Sequence, residues 1–266
     1  MQSRSIDGFD TRVIGTNGYD ETAGSDVCVI TAGLPRKPGM SRMDLLEVNA
    51  KVVGGVAREL TLRSPDCVLI VVSNPLDEMT ALAAIASGLP KRRVMGQAGI
   101  LDTARFKHFV AEKTGVSPTQ VDAMTLGSHG ETMVPVPSVV TVAGRPLAEV
   151  LSPGDIEDVV KRTREGGAEV VGLLKTGSAY YAPSAAAAAM VEAVATDSGT
   201  LMPVCAWVEG EFGLRDMFLD VPARIGRGGV IAIEELALAG EELAALRAAG
   251  EAVRVKQADI AALATG

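Results

Sequence analysis

"DVCVITAG", residues 26–33, is a short and nearly unbroken apolar run that closes on glycine. A strand with one wet face alternates apolar and polar residues. This one does not, so it predicts a parallel strand buried on both faces. The sequence on either side fits that choice. "LPRKPGMS" (34–41) is a Pro/Gly/basic loop, a helical stretch runs from about Arg42 to Arg63, and "DCVLIVVSNP" (66–75) is a second buried strand stopped by Asn-Pro. A helix from about Leu76 to Ser87 and a short strand near Val94 complete the pattern. Strands alternating with helices of this length imply right-handed βαβ crossovers and a parallel sheet. Ligands of such sheets sit outside the carboxyl ends of the strands, here residues 31–33 with the basic loop after them, and Ser73, Asn74 and Pro75.

The texture changes near Gln97–Gly99, which places a domain boundary there: residues 1–97 and residues 98–266. Beyond it, "LDTARFKHFVAEKTG" (101–115) reads as a helix and "PVPSVVTVAGRPL" (135–147) as strand–turn–strand. A helix is expected over about 156–175, with Gly166, Gly167 and Gly172 allowing close packing or a bend. "APSAAAAAMVEAVATD" (182–197) is an alanine-faced helix with Pro183 in its first turn. "TLMPVCAWV" (200–208) and "DMFLDVPARIG" (216–226) are strand-like, and a long helix spans about 241–263. The fold class is therefore α/β, a parallel sheet followed by an α+β part.

Composition removes several functions. The 266 residues are 47% hydrophobic, 22% charged and only 3% aromatic, so the core is aliphatic and alanine-rich. A net charge of -8 argues against a nucleic-acid groove or a polybasic membrane surface. No apolar run approaches the roughly 20 residues that span a bilayer, and the opening "MQSRSIDGFD" has no apolar stretch of a signal peptide. Cys28, Cys67 and Cys205 lie in separate apolar runs without metal-ligand spacing; they read as buried small hydrophobes in a reducing cytoplasm, and no metal site is expected.

Three constellations could carry chemistry. Arg36, Lys37 and Arg42 lie on the loop held by Pro35 and Pro38, either as a solvated basic segment or as a lid that brings guanidinium groups to an anion. Asp102 and Arg105 share a helix face, either as an ordinary ion pair or as a carboxylate that orients a histidine beside an arginine that holds an anion. His108 on the same helix reads as a surface residue. The other histidine, His129 in "LGSHGETMVP" (126–135), sits on a small-residue turn where a nearby acid could raise its pKa and make it a proton donor near neutral pH.

Taken together, "ITAGLPRKPGMSRMDLLEVNA" (30–50), "VSNPLDEMT" (72–80), "GQAGILDTARF" (96–106), "GSHGETMVP" (127–135) and "LLKTGSAYYAP" (173–183) resemble the malate dehydrogenases, in the branch similar to lactate dehydrogenase. The resemblance covers essentially the whole chain. It implies a Rossmann-type sheet and hydride transfer between NAD(H) and (S)-malate or oxaloacetate, a step of the tricarboxylic acid cycle. It also implies a cytoplasmic homodimer or homotetramer. By resemblance His129 is the general acid/base, oriented by Asp102; Arg105 holds one substrate carboxylate, Arg36 the distal one, and Arg42 polarises the carbonyl. Asn74 touches substrate and nicotinamide, and Asn49, Val72 and Ser73 line the cofactor crevice. An arginine at 36 favours a dicarboxylate over pyruvate.

One family feature has no counterpart. The strand, GxGxxG turn and helix that meet the pyrophosphate are not found: "GTNGYDETAG" (15–24) lacks the spacing and "GRGGV" (226–230) lies in the wrong domain. "SIDGFDTRVIGTN" (5–17) instead resembles the approach to the family's third strand. By that alignment roughly 60 residues, about two βα units, are missing. The expectation is that Met1 is internal to a longer reading frame or that the gene is a truncated copy. A third strand at 12–16 would then lack a partner, and the strand at 27–32 would show an open apolar edge. The alternatives are a dehydrogenase for another 2-hydroxy acid such as lactate, or an inactive remnant that serves folding or association, and cofactor affinity separates them.

Overall fold

The computed structural model describes residues 10–34, 42–130, 132–174 and 179–264, with Gly8. The two buried runs form β1 (Val27–Ile30) and β2 (Val68–Val71), parallel, with Cys28 beside Leu69 and Ile30 beside Val71. β3 (Val94–Gly96) joins β2, also in parallel. The connecting helices are α1 (Arg42–Arg63) and α2 (Leu76–Ser87), at the positions expected. Packing explains why the strand at 66–75 does not alternate. Cys67, Leu69 and Val71 enter one core with Val53 of α1 and Met79 and Leu82 of α2, while Val68 and Ile70 enter another. That second core is closed by Met190, Ala193 and Val194 of α5 (Tyr181–Ala195). Apolar residues on both faces are what two covered faces require.

The rest of the chain runs through α3 (Gly99–Thr114), β4 (Val121–Asp122), β5 (Thr125–Gly127), β6 (Met133–Pro135) and the hairpin of β7 (Thr141–Val142) and β8 (Arg145–Pro146). It continues through α4 (Pro153–Leu174) and α5 to β9 (Thr200–Glu209), β10 (Arg215–Gly226), β11 (Gly229–Ile233) and α6 (Gly240–Ala264). Phe106 and Phe109 of α3 pack with Val142 and with Val159 of α4 in a third core.

Among the described residues one sheet has the order β1-β2-β3-β9-β10-β5-β6, with β11 on β10. It is parallel to β3 and antiparallel from there on. At the change of direction a single transverse row crosses four strands: Gly96, Cys205, Asp220 and Gly127. A Cβ at Gly96 would stand 2.5 Å from Thr80 Oγ1 and 2.9 Å from Cys205 Cβ, so the strands meet there only because the residue is glycine. The same seam is bridged by Lys91, just before β3, whose ammonium lies 3.5 Å from the centre of the Trp207 ring on β9; Phe218 of β10 meets that indole edge-on at 5.3 Å.

One expectation is corrected. Residues 12–16 form no strand: Val13 and Ile14 are half exposed and the backbone joins no ladder, since an extended segment without a partner has nowhere to place its N–H and C=O groups except in water. The cysteines are free and buried, as their apolar runs predict, and all three join one core. The apolar edge is present: β1 pairs only with β2 among the described residues, and Val29 on it is exposed.

Candidate active site

The site forms where α3, the turn after β5 and the carboxyl end of β2 converge. Asp102 lies in the first turn of α3, where the helix dipole favours a carboxylate, and only 1% of its side chain is exposed. Both its oxygens are engaged. Oδ1 accepts from Arg105 Nη1 at 2.7 Å, and Oδ2 bonds His129 Nδ1 at 2.8 Å. The alternatives left open by spacing alone, ion pair or histidine partner, are thus both realised by one carboxylate.

His129 reaches this position because β5 ends in Gly127 at φ +91, a left-handed conformation that turns the chain sharply toward α3. Thr103 of α3 holds β5 by accepting from the Thr125 N–H at 2.8 Å, and the Ser128 and Thr132 hydroxyls bond each other across the turn. Burial works against charging the imidazole. The hydrogen bond and charge of Asp102, with the charge of Asp77, outweigh that, so its pKa is raised above the ordinary histidine value. Nδ1 is taken, which leaves Nε2 to exchange a proton, and about a quarter of the side chain is open to solvent.

Arg105 is mostly buried, and its bed is made by α4. A Cβ at Gly166 would lie 3.4 Å from Arg105 Cδ, and one at Gly167 3.7 Å from Nη1, so any longer side chain at either position would push into the guanidinium. The close packing read from Gly166 and Gly167 is therefore present, with Arg105 as its object. Planar N–H groups not used by Asp102 suit a carboxylate.

At the end of β2, Asn74 is exposed, Val72 half-buried and Ser73 buried. Ser73 Oγ donates to the Ala32 and Ile30 carbonyls and so fixes the end of β1. Asn49, 1% exposed, uses its whole amide as a clamp: Oδ1 accepts from Leu34 N at 2.8 Å, and Nδ2 donates to Asn74 O at 2.8 Å and to Leu34 O at 3.3 Å. Ser73 and Asn49 thus fix the backbone at the carboxyl ends of β1 and β2. Asn74 presents an exposed neutral amide there, beside the half-buried apolar Val72, a pair suited to an uncharged planar amide. Arg36 and Lys37 lie outside the described residues; Arg42 opens α1, and its side chain lies outside them too.

Sequence reasoning missed a second tier of acids. Asp77 of α2 and Asp220 of β10 are buried against this site. Burial and the carboxylates of Asp77 and Asp102 push Asp220 well above the usual carboxylate range; its Oδ1 accepts from Gly99 N at 3.0 Å. The folded state therefore keeps a proton that the unfolded chain loses from about pH 4 upward, so stability falls as pH rises through that window, by up to about 1.4 kcal/mol per pH unit. Asp220→Asn keeps the acceptor for Gly99 and removes the proton. It is expected to unfold at higher denaturant concentration than the parent at pH 8, with the gap narrowing toward pH 4. Equal midpoints at pH 8 would count against a protonated Asp220.

Residues 4–96 match the lactate/malate dehydrogenase NAD binding domain and residues 100–263 the lactate/malate dehydrogenase alpha/beta C-terminal domain. The chain is 51% identical over 255 residues to a malate dehydrogenase of Synechocystis sp., covering 96% of this chain and 79% of that one. A solved malate dehydrogenase from Salinibacter ruber superposes with a TM-score of 0.93 at 47% identity, covering 98% of this chain and 83% of the other. The malate dehydrogenase from Plasmodium falciparum in complex with NADH gives 0.91 at 31% identity, covering 99% and 85%.

Proposed function

The chain belongs to the lactate/malate dehydrogenase family, and from that premise we infer its reaction: it is an NAD-dependent enzyme that interconverts malate and oxaloacetate. Most weight rests on the Asp102–His129 pair beside Arg105, a proton donor next to a carboxylate-binding cation. NAD, when bound, supplies or accepts the hydride. Asn74 and Val72 would line the nicotinamide end of its crevice, with Ser73 and Asn49 keeping that crevice in shape.

His129 gives its Nε2 proton to the carbonyl oxygen of oxaloacetate in reduction and recovers one from the hydroxyl of malate in oxidation. Asp102 stabilises the imidazolium and fixes Nδ1 as its own partner. The raised pKa of His129 keeps a protonated population at neutral pH, as a donor needs. Arg105 holds the carboxylate next to the reacting carbon, Arg42 polarises the carbonyl, and Arg36 takes the distal carboxylate. Residues 1–97 serve the cofactor and 98–266 the chemistry, although the sheet runs on across the division.

The test is NADH oxidation driven by oxaloacetate and, separately, by pyruvate. Oxaloacetate should be preferred, and Arg36→Gln should reduce that preference by about 100-fold through loss of a charge-assisted bond. An unchanged preference would remove Arg36 from this role. A cytoplasmic homodimer or homotetramer belongs to the same proposal. It is supported by free cysteines and by exposed Val52 and Leu62 on α1. No helix of the described residues is long and apolar enough to cross a membrane.

A further inference from the structure

Taking His129 as the group that transfers the proton, we propose that Asp77 is its positioning residue: the carboxylate of Asp77 fixes the backbone of the histidine turn, and its charge sets how tightly the imidazole holds a proton. The geometry is specific. Asp77 Oδ2 accepts the His129 N–H at 3.2 Å, Oδ1 faces the Cys205 thiol at 3.6 Å, and Gln257 of α6 donates to the Asp77 carbonyl at 3.0 Å while bonding Phe218 N and O on β10. Asp77 stands three residues after Asn74. One side chain therefore joins the end of β2 to the catalytic turn, and two strands and a helix hold it still.

The surroundings make it responsive. Around Asp77 lie Glu78 on its own helix, His129 after β5, Cys205 on β9 and Asp220 on β10, with Asp102 and Arg105 of α3 beyond the imidazole. Burial and the neighbouring Glu78 raise its pKa to about 7, against the pull of His129. The two groups thus answer to each other: the charge of Asp77 raises the imidazole, and the charge of His129 lowers the carboxyl. As the carboxylate takes up a proton, the imidazole loses support for its own.

The chain has two histidines, so His108→Gln leaves His129 as the sole imidazole signal in an NMR titration. In that background Asp77→Asn should lower the His129 pKa by about half a unit or more, while Asp77→Ala should also lose the slow exchange of the His129 amide that Asn preserves as an acceptor. With Asp77 intact, its carboxyl carbon should register a step at the pH where His129 titrates, a reading that needs no variant at position 77 to fold. An unshifted His129 pKa in Asp77→Asn, or no such step at the carboxyl carbon, overturns the proposal. The acidic limb of malate oxidation, which needs neutral imidazole, should move to lower pH by the same amount in Asp77→Asn. If the NMR shift occurs and the limb stays, the proton-transfer role of His129 fails while the Asp77 coupling stands.

Discussion

His129→Gln is expected to lower kcat for oxaloacetate reduction by about 10³–10⁴-fold, the range of a lost general acid. Glutamine fills much of the same space and can still face Asp102, whose Oδ2 lies 2.8 Å from the imidazole Nδ1, but it has no proton to give at neutral pH. The deficit should therefore fall on kcat, with NADH affinity close to that of the parent, because His129 lies on the β5 turn and not at the end of β2. Steady-state NADH oxidation and NADH fluorescence titration separate the two. A loss of less than tenfold in kcat would mean that another group delivers the proton.

Asp102→Asn should have the second largest effect, a fall in kcat of about 10²–10³-fold. The substitution removes the anion that favours the imidazolium, so the His129 pKa drops and the donor is scarcer at neutral pH. It also leaves Arg105, about a fifth exposed, facing an amide in place of its 2.7 Å ion-pair partner. A stability loss of about 2 kcal/mol is expected from that mismatch in a partly buried site. Reduction should regain activity as pH is lowered, because a weaker base is protonated only in more acidic solution. A variant with the parental pH profile would show that Asp102 does not set the imidazole charge.

Much of the scaffold was legible because its signals are local. The run at 26–33 and the Asn-Pro stop at 74–75 mark strands, and α1 and α2 end where arginine, proline and glycine punctuate the sequence. Asp102 and Arg105 could be paired from helical spacing, and His129 stood out on a turn of small residues. Asp77 was not legible. In "NPLDEMT" it looks like an ordinary carboxylate at a helix start, and only tertiary packing brings Cys205, His129 and Gln257 onto it. Asp220 reads as a polar interruption of a strand; its burial follows from its place in the row between Cys205 and Gly127. Residues 12–16 failed for the opposite reason: their pattern suits a strand, but a ladder needs a neighbour that local pattern cannot supply.

The contact between Lys91 and Trp207 has a practical side. Trp207 is the only tryptophan, so all indole emission from the chain arises at the point where the sheet changes direction. A cation over one face and the Phe218 edge beside it give that partly buried fluorophore an electrically biased setting. If the segment carrying Lys91 lifts away, more of the ring meets water and its emission shifts to longer wavelength, whatever the state of the imidazole. The molecule thus carries an optical gauge of its own seam, read at a different place from the chemistry and usable alongside it.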